Sequence, residues 1–173
     1  MHRGGAFMTI DTLFGTEEIT GKPRTIRFKQ IKAVYETLII KEDIAAYLKT
    51  GTRFTAPQQV ADTFQFLMKE TKEMFITLHL DGKNRIICMD LVSIGSLNQS
   101  IVHPREVFKT ALLSNAAAVL LIQQHPTGDP SPSSEDIAIT RRLKEAGEIM
   151  GIKVLDHIII GDGYLSFVER GLL

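Results

Sequence analysis

The chain has 173 residues, 44% hydrophobic and 23% charged, the balance of an ordinary globular sequence, which excludes a disordered or fibrous protein. Twenty Lys and Arg offset twenty Asp and Glu, so no overall charge draws the molecule onto nucleic acid or anionic lipid. A single cysteine, Cys88, excludes an internal disulfide and a multi-cysteine zinc cluster.

The longest apolar runs, Ala116 to Ile122 among them, fall far short of the roughly 20 residues of a membrane-spanning helix, and no apolar stretch follows Arg3 as in a secretory signal. The expected location is the cytoplasm, with no membrane partner. Residues 1–55 read as an extension: a glycine-bearing lead-in, a basic strand around Ile26 and Phe28 that continues to Ile40, and a short helix from Lys41 to Lys49. Lys22, Arg24, Arg27, Lys29 and Lys32 place five cations there without an acid, which reads either as a solvated strand face or as a nucleic-acid contact.

Residues 56–173 carry the main domain. Val60, Phe64, Leu67, Met68 and Thr71 make one stripe on a helix from about Ala56 to Thr71. Two antiparallel strands follow, Met74 to Leu80 and Arg85 to Ile94, around an Asp81-Gly82 turn. Pro104 to Leu113 reads as a helix with Val107, Phe108, Ala111 and Leu112 inward, and Ala116 to Ile122 as a buried central strand. A long helix starts near Ser134, buries Ile137, Leu143, Ala146 and Met150 and stops at Gly151. Val154 to Ile160 and Tyr164 to Val168 close the domain as a hairpin around Gly161-Asp162-Gly163. The alternation of strands and helices places the domain in the α/β class.

The loop after the central strand carries the chemistry. Its His125 offers an imidazole nitrogen and its Asp136 a hard anionic oxygen, two ligands of a metal that would keep a position for water. Glu73, at the start of the hairpin, supplies a carboxylate able to take a proton from such a water. Ser133-Ser134-Glu135-Asp136 also has the form of a capping box, which by itself accounts for Ser133 and Asp136. Cys88, within Ile86-Ile87-Cys88-Met89, reads as a small buried hydrophobe, His79 lies six residues along the strand from Glu73, too far to share its site, and His103 and His157 read as packing or surface residues.

Glu73 in Lys72-Glu73-Met74-Phe75, the run from His125-Pro126 to Ser133 and Asp136, the block His103-Pro104-Arg105-Glu106-Val107-Phe108, and the tail Leu155-Asp156-His157-Ile158-Ile159-Ile160-Gly161 together resemble the RadC-like branch of the JAB/MPN (JAMM) metallopeptidase superfamily. The resemblance implies a mixed sheet flanked by helices, of cytidine-deaminase-like architecture. It also implies a zinc-dependent hydrolase of a peptide or isopeptide amide in a protein substrate, and an association with DNA repair. By the same resemblance His125 and Asp136 would bind zinc, Glu73 would be the general acid/base and Ser133 would stabilise the oxyanion. The family's first motif His is replaced here by Gln123, two residues from His125 and on the same face of an extended segment, so that its carbonyl oxygen could turn toward the metal. The replacement leaves two readings: a zinc hydrolase with an amide in its ligand set, or a metal-poor binding or scaffold module that keeps the fold.

Overall fold

Every side chain of Ala118–Gln124 is buried, so this strand has no face left for water and can only lie inside a sheet covered on both sides. The computed structural model describes residues 34–36, 50–95 and 102–173. By its contacts the chain divides into two units, Met1–Tyr35 and Glu36–Leu173, and the architecture that follows is that of the second. The basic run Lys22, Arg24, Arg27, Lys29 and Lys32, the helix expected at Lys41 to Lys49 and most of the strand expected to continue to Ile40 lie outside the described residues; of that strand Val34, Tyr35 and Glu36 are described, and they are exposed and not in a strand.

Among the described residues five strands, β1 (Met74–Leu80), β2 (Ile86–Ile94), β3 (Ala118–Gln124), β4 (Lys153–Ile160) and β5 (Tyr164–Ser166), form one sheet in the order β2-β1-β3-β4-β5. β3 pairs antiparallel with β1 and parallel with β4, and β5 closes antiparallel on β4, so the sheet is mixed. Helix α1 (Pro57–Phe64), tightened into a 3-10 turn over Gln65–Lys69, covers one face; α2 (Pro104–Leu113) and α3 (Ser134–Met150) cover the other.

Period-two alternation splits the core accordingly. Ile76, Leu78, Leu80, Leu120, Ile122, Ile158 and Ile160 pack against Val60, Phe64 and Leu67 on the α1 side. Phe75, Val119 and Leu121 pack against Val107, Phe108, Ala111 and Leu143 on the α2/α3 side. Among the described residues four phenylalanines, Phe64, Phe75, Phe108 and Phe167, are fully buried, each contributing on the order of 1.5–3 kcal/mol of transfer free energy. The same alternation puts Gln123 and His125 on the α3 side of β3, at its C-terminal end, where the parallel β3/β4 pair feeds a loop into a helix.

The expected elements are present with local differences. The first helix leaves α geometry after Phe64, and Thr71 is exposed beyond its end. The β1–β2 turn forms where Asp81-Gly82 signals it, but the left-handed residue is Asn84 (φ 58°), because the Asp81 side chain accepts the amides of Lys83 and Arg85 at 2.8 and 2.9 Å. Leu112, expected inward, is 52% exposed. In α3 the buried positions are Asp136, Thr140, Leu143 and Gly147, whereas Met150 is exposed. This inward face is polar at its start because it meets the site, and narrow at its end because only Gly147 allows the backbone of Ile152 so close: a Cβ there would lie 2.4 Å from that carbonyl oxygen. Cys88 is partly exposed, with its sulfur 3.3 Å from Nδ1 of buried His79.

Candidate functional site

Four segments converge beyond the end of β3. Glu73 immediately precedes β1, whose pairing with β3 sets Met74 opposite Gln124. His125 continues the ladder, its amide bonded to the Ile160 carbonyl at 2.9 Å, before the chain turns away. The turn is clamped: Gly128, at φ 86°, receives the Asp162 amide on its carbonyl at 2.7 Å, and a Cβ on Gly161 would lie 2.2 Å from that same oxygen. Asp129 accepts the Ser131 amide, and its carbonyl meets His125 Nδ1 at 2.8 Å. The loop then delivers Ser133 as the N-cap of α3.

The capping box is complete. Ser133 Oγ accepts the Asp136 amide at 3.1 Å, and Asp136 Oδ2 accepts the Ser133 amide at 2.8 Å and its hydroxyl at 2.6 Å. Asp136 Oδ1 is left to face the site. Glu73, His125 and Asp136 each offer one ligand atom within 4.8 Å of the others, close enough for the three to coordinate one ion.

Gln123, 2% exposed, reaches into the midst of these groups. Its Nε2 lies 2.8 Å from Glu73 Oε1, 2.7 Å from Asp136 Oδ1 and 3.0 Å from His125 Nε2. The carbonyl oxygen expected to turn toward a metal is therefore turned away, for a simple reason. Two carboxylates repel a carbonyl oxygen and attract N–H donors. The His125 ring fits the same pattern in its neutral form: with Nδ1–H donating to the Asp129 carbonyl, Nε2 turns its lone pair to the Gln123 amide, whereas the protonated ring carries an N–H there that faces Asp136. An amide nitrogen has no lone pair to give a metal, and the set holds one imidazole where the related motif has two. Glu73, His125 and Asp136 are near enough to share an ion, but with the Gln123 amide turned this way the residues as placed do not complete the ligand set of a zinc centre.

The charges follow from this packing. Burial, the largest influence on Asp136, works against its ionisation, yet the His125 ring 3.6 Å away and the bonds from Ser133 and Gln123 hold its carboxyl far below the usual range. Burial raises Glu73, and the Asp136 charge adds to that rise. His125 is raised: burial disfavours its charged form, but Asp136, the Asp129 carbonyl and Glu73 outweigh it. An anionic Asp136 thus faces a more easily protonated Glu73 across the Gln123 amide.

Beneath the site sits His157, fully buried, stacked on Phe167 (ring centroids 4.7 Å apart) and against Phe75 (5.4 Å). Its Nδ1 lies 2.7 Å from Thr140 Oγ1, which in turn donates to the Asp136 carbonyl at 2.6 Å. This fixes Nδ1–H as the donor and leaves Nε2, buried, without a partner among the described residues. His157 therefore braces the first turn of α3 from below. Thr140 was not a candidate from sequence, although its spacing of four from Asp136 places both on one helix face. Asp156 beside it is a bracket, accepting the amides of His157 and Val168 and the Ser166 hydroxyl. Gln124 points to the opposite face and bonds the Glu70 carbonyl, while His79 sits at the far end of β1 with Thr77 and Ser114. Next to the loop, Met68, Lys69, Glu70, Thr71, Pro126 and Thr127 line an open groove of about 360 Å³.

Residues 54–172 match the family model of the RadC-like JAB domain. The chain belongs to that family. It is 70% identical over 128 residues to a UPF0758 protein of Pelobacter propionicus, a stretch covering 73% of this chain and 56% of the relative. A UPF0758 protein of Geotalea uraniireducens is 63% identical over 123 residues, 70% of this chain and 54% of the relative. One from Methanosarcina acetivorans is 49% identical over 147 residues, 83% of this chain and 63% of the relative. The chain thus spans little more than half the length of these relatives. Within the RadC-like fold, the mixed sheet and its flanking helices bring together a partial cluster of Glu73, His125 and Asp136, with Gln123 among them. Among the described residues no helix is long and apolar enough to cross a membrane.

Proposed function

We propose that this chain is a RadC-like JAB domain of cytidine-deaminase-like architecture that serves as a binding or scaffold module, its ancestral metal chemistry silenced. The observation carrying this reading is the position of the Gln123 amide nitrogen, within hydrogen-bond distance of Glu73, His125 and Asp136 at once. Loss of a group that only orients a metal ligand costs about 10–100-fold in affinity or activity, so exchanging a ligand imidazole for an N–H donor costs at least that much. The open groove beside Pro126 and Thr127 offers the module a surface for a peptide or protein segment. Association with DNA repair rests on the RadC-like family membership, with Lys22, Arg24, Arg27, Lys29 and Lys32 of the 1–55 extension as the candidate contact.

A second reading, zinc-dependent hydrolysis of a peptide or isopeptide amide, draws support from one feature: Glu73, His125 and Asp136 offer ligand atoms within 4.8 Å of one another, with Ser133 hydrogen-bonded to Asp136. It assigns catalysis to Glu73 and Ser133 and metal binding to His125, Asp136 and the Gln123 oxygen, and it requires the amide to reverse. Metal analysis of protein purified without added zinc separates the two. The module reading expects less than about 0.1 equivalent of metal in the natural protein and a marked gain in Gln123→His. Near-stoichiometric metal in the natural protein, released by Asp136→Ala, would establish the hydrolase reading instead.

A further inference from the structure

Without a cation, this arrangement of Glu73, His125 and Asp136 has a cost that the fold must meet. Two carboxylates and, while His125 is neutral, an imidazole lone pair converge within 4.8 Å, partly shielded from water, and nothing about three acceptors holds them together. The Gln123 nitrogen provides what is missing. It carries two hydrogens and partial positive charge, stands 2.7 to 3.0 Å from all three groups, and belongs to the central strand of the sheet. Through it β3 is tied to the residue preceding β1, to the clamped loop and to the first turn of α3.

We infer that the Gln123 carboxamide is a built-in substitute for the cation, a hub that holds the loop and the start of α3 in register and makes the domain independent of metal. This rests on the metal-poor reading above and adds to it that the amide does the structural work of an ion. Three acceptors sharing two N–H protons keep all three groups attracted to one atom, so the side chain is held from several directions. Gln123 is also nearly sealed from solvent, so water does not readily replace its bonds.

Thermal unfolding of the full chain and two variants, each with a chelator and with added zinc or manganese, tests the inference. The natural protein should show the same Tm in all three conditions, within about 2 °C. Gln123→Met keeps the length and removes the donor, and should lower Tm in chelator by about 5 °C or more. Gln123→Glu replaces the N–H donor with a third carboxyl oxygen. It should lower Tm further in chelator, by about 5–15 °C, and recover much of the loss when the divalent cation is added. A Gln123→Glu chain that folds only with the cation present supports the inference in the same way. The hub idea is overturned if Gln123→Met and Gln123→Glu match the natural Tm in chelator, an outcome that leaves the metal-poor reading intact. A natural protein that retains stoichiometric metal, or gains more than about 2 °C from zinc, overturns both.

Discussion

His157 should make the domain acid-sensitive in a way that one substitution can isolate. Complete burial pushes its ring down to about 3 from an ordinary 6.5, with the Asp136 charge opposing that shift and His125 adding to it. Below pH 6.5 the unfolded chain takes up a proton on this ring that the folded chain refuses until near pH 3, so stability falls as pH falls across that window, by roughly 1.4 kcal/mol per pH unit. Between pH 7 and pH 5 the loss amounts to about 2 kcal/mol, a large fraction of a typical net stability of 5–15 kcal/mol. His125 works in the opposite sense, since its raised value adds stability as pH falls toward 6.5, and His79, lowered by burial, works in the same sense as His157. Both remain in a His157→Asn variant, whose amide can still donate to Thr140, so the difference between the two proteins reports His157. The chain has no tryptophan, and urea unfolding followed by far-UV circular dichroism at pH 7, 6 and 5 is the suitable assay. The natural protein should lose about 2 kcal/mol more than the variant over this range. Parallel pH dependences in the two proteins would refute the claim that the ring is held neutral by burial.

Two further substitutions test how the site is held. Gly147→Ala gains helix propensity of up to about 1 kcal/mol, yet its new Cβ would lie 2.4 Å from the Ile152 carbonyl oxygen and 3.2 Å from the Phe108 ring, so a net loss of about 1–3 kcal/mol is expected by calorimetry. A stabilised Gly147→Ala would mean that α3 can shift freely against β4. Ser133→Ala removes the helix cap and one donor to Asp136 and should cost about 0.5–2 kcal/mol in urea, whereas Ser134→Ala, whose exposed hydroxyl donates to its neighbour Glu135, should stay within about 0.5 kcal/mol of the parent. Equal effects at the two serines would argue against the cap.

The strands were legible because burial on two faces leaves a plain trace: Ala116 to Ile122 contains no polar residue, and β1 and β2 bracket a turn whose Asp81 organises its own loop. The inner face of α3 was harder to read for a physical reason. Apolar periodicity points to Ile137, Ala146 and Met150, but the face that meets the sheet begins under the site, where Asp136 and Thr140 are buried through hydrogen bonds. A pattern based on apolarity does not register a polar residue buried because its bonds are satisfied. The close approach at Gly147 is silent for a similar reason, since a glycine within a helix shows in sequence only as a weak helix former.

The site itself was half legible. The resemblance picked out Gln123, spacing placed it on one face of β3 with His125, and the capping pattern placed Ser133 and Asp136 at the helix start, so the four positions could be named from the sequence. Spacing did not give the direction of the Gln123 amide, because either end can turn inward. Acceptor counting settles it once Glu73 is known to arrive from β1. With a divalent ion among the side chains the oxygen is the favoured end, and with two bare carboxylates the nitrogen is. The same glutamine that weakens a metal centre therefore becomes, in the absence of the metal, a neutral donor that reaches every acceptor the metal would have joined. Its value to the fold depends on the carboxylates having remained, so loss of the ion need not bring loss of the acids: Asp136 caps α3 through Ser133 in either state, and Glu73 and His125 retain a partner.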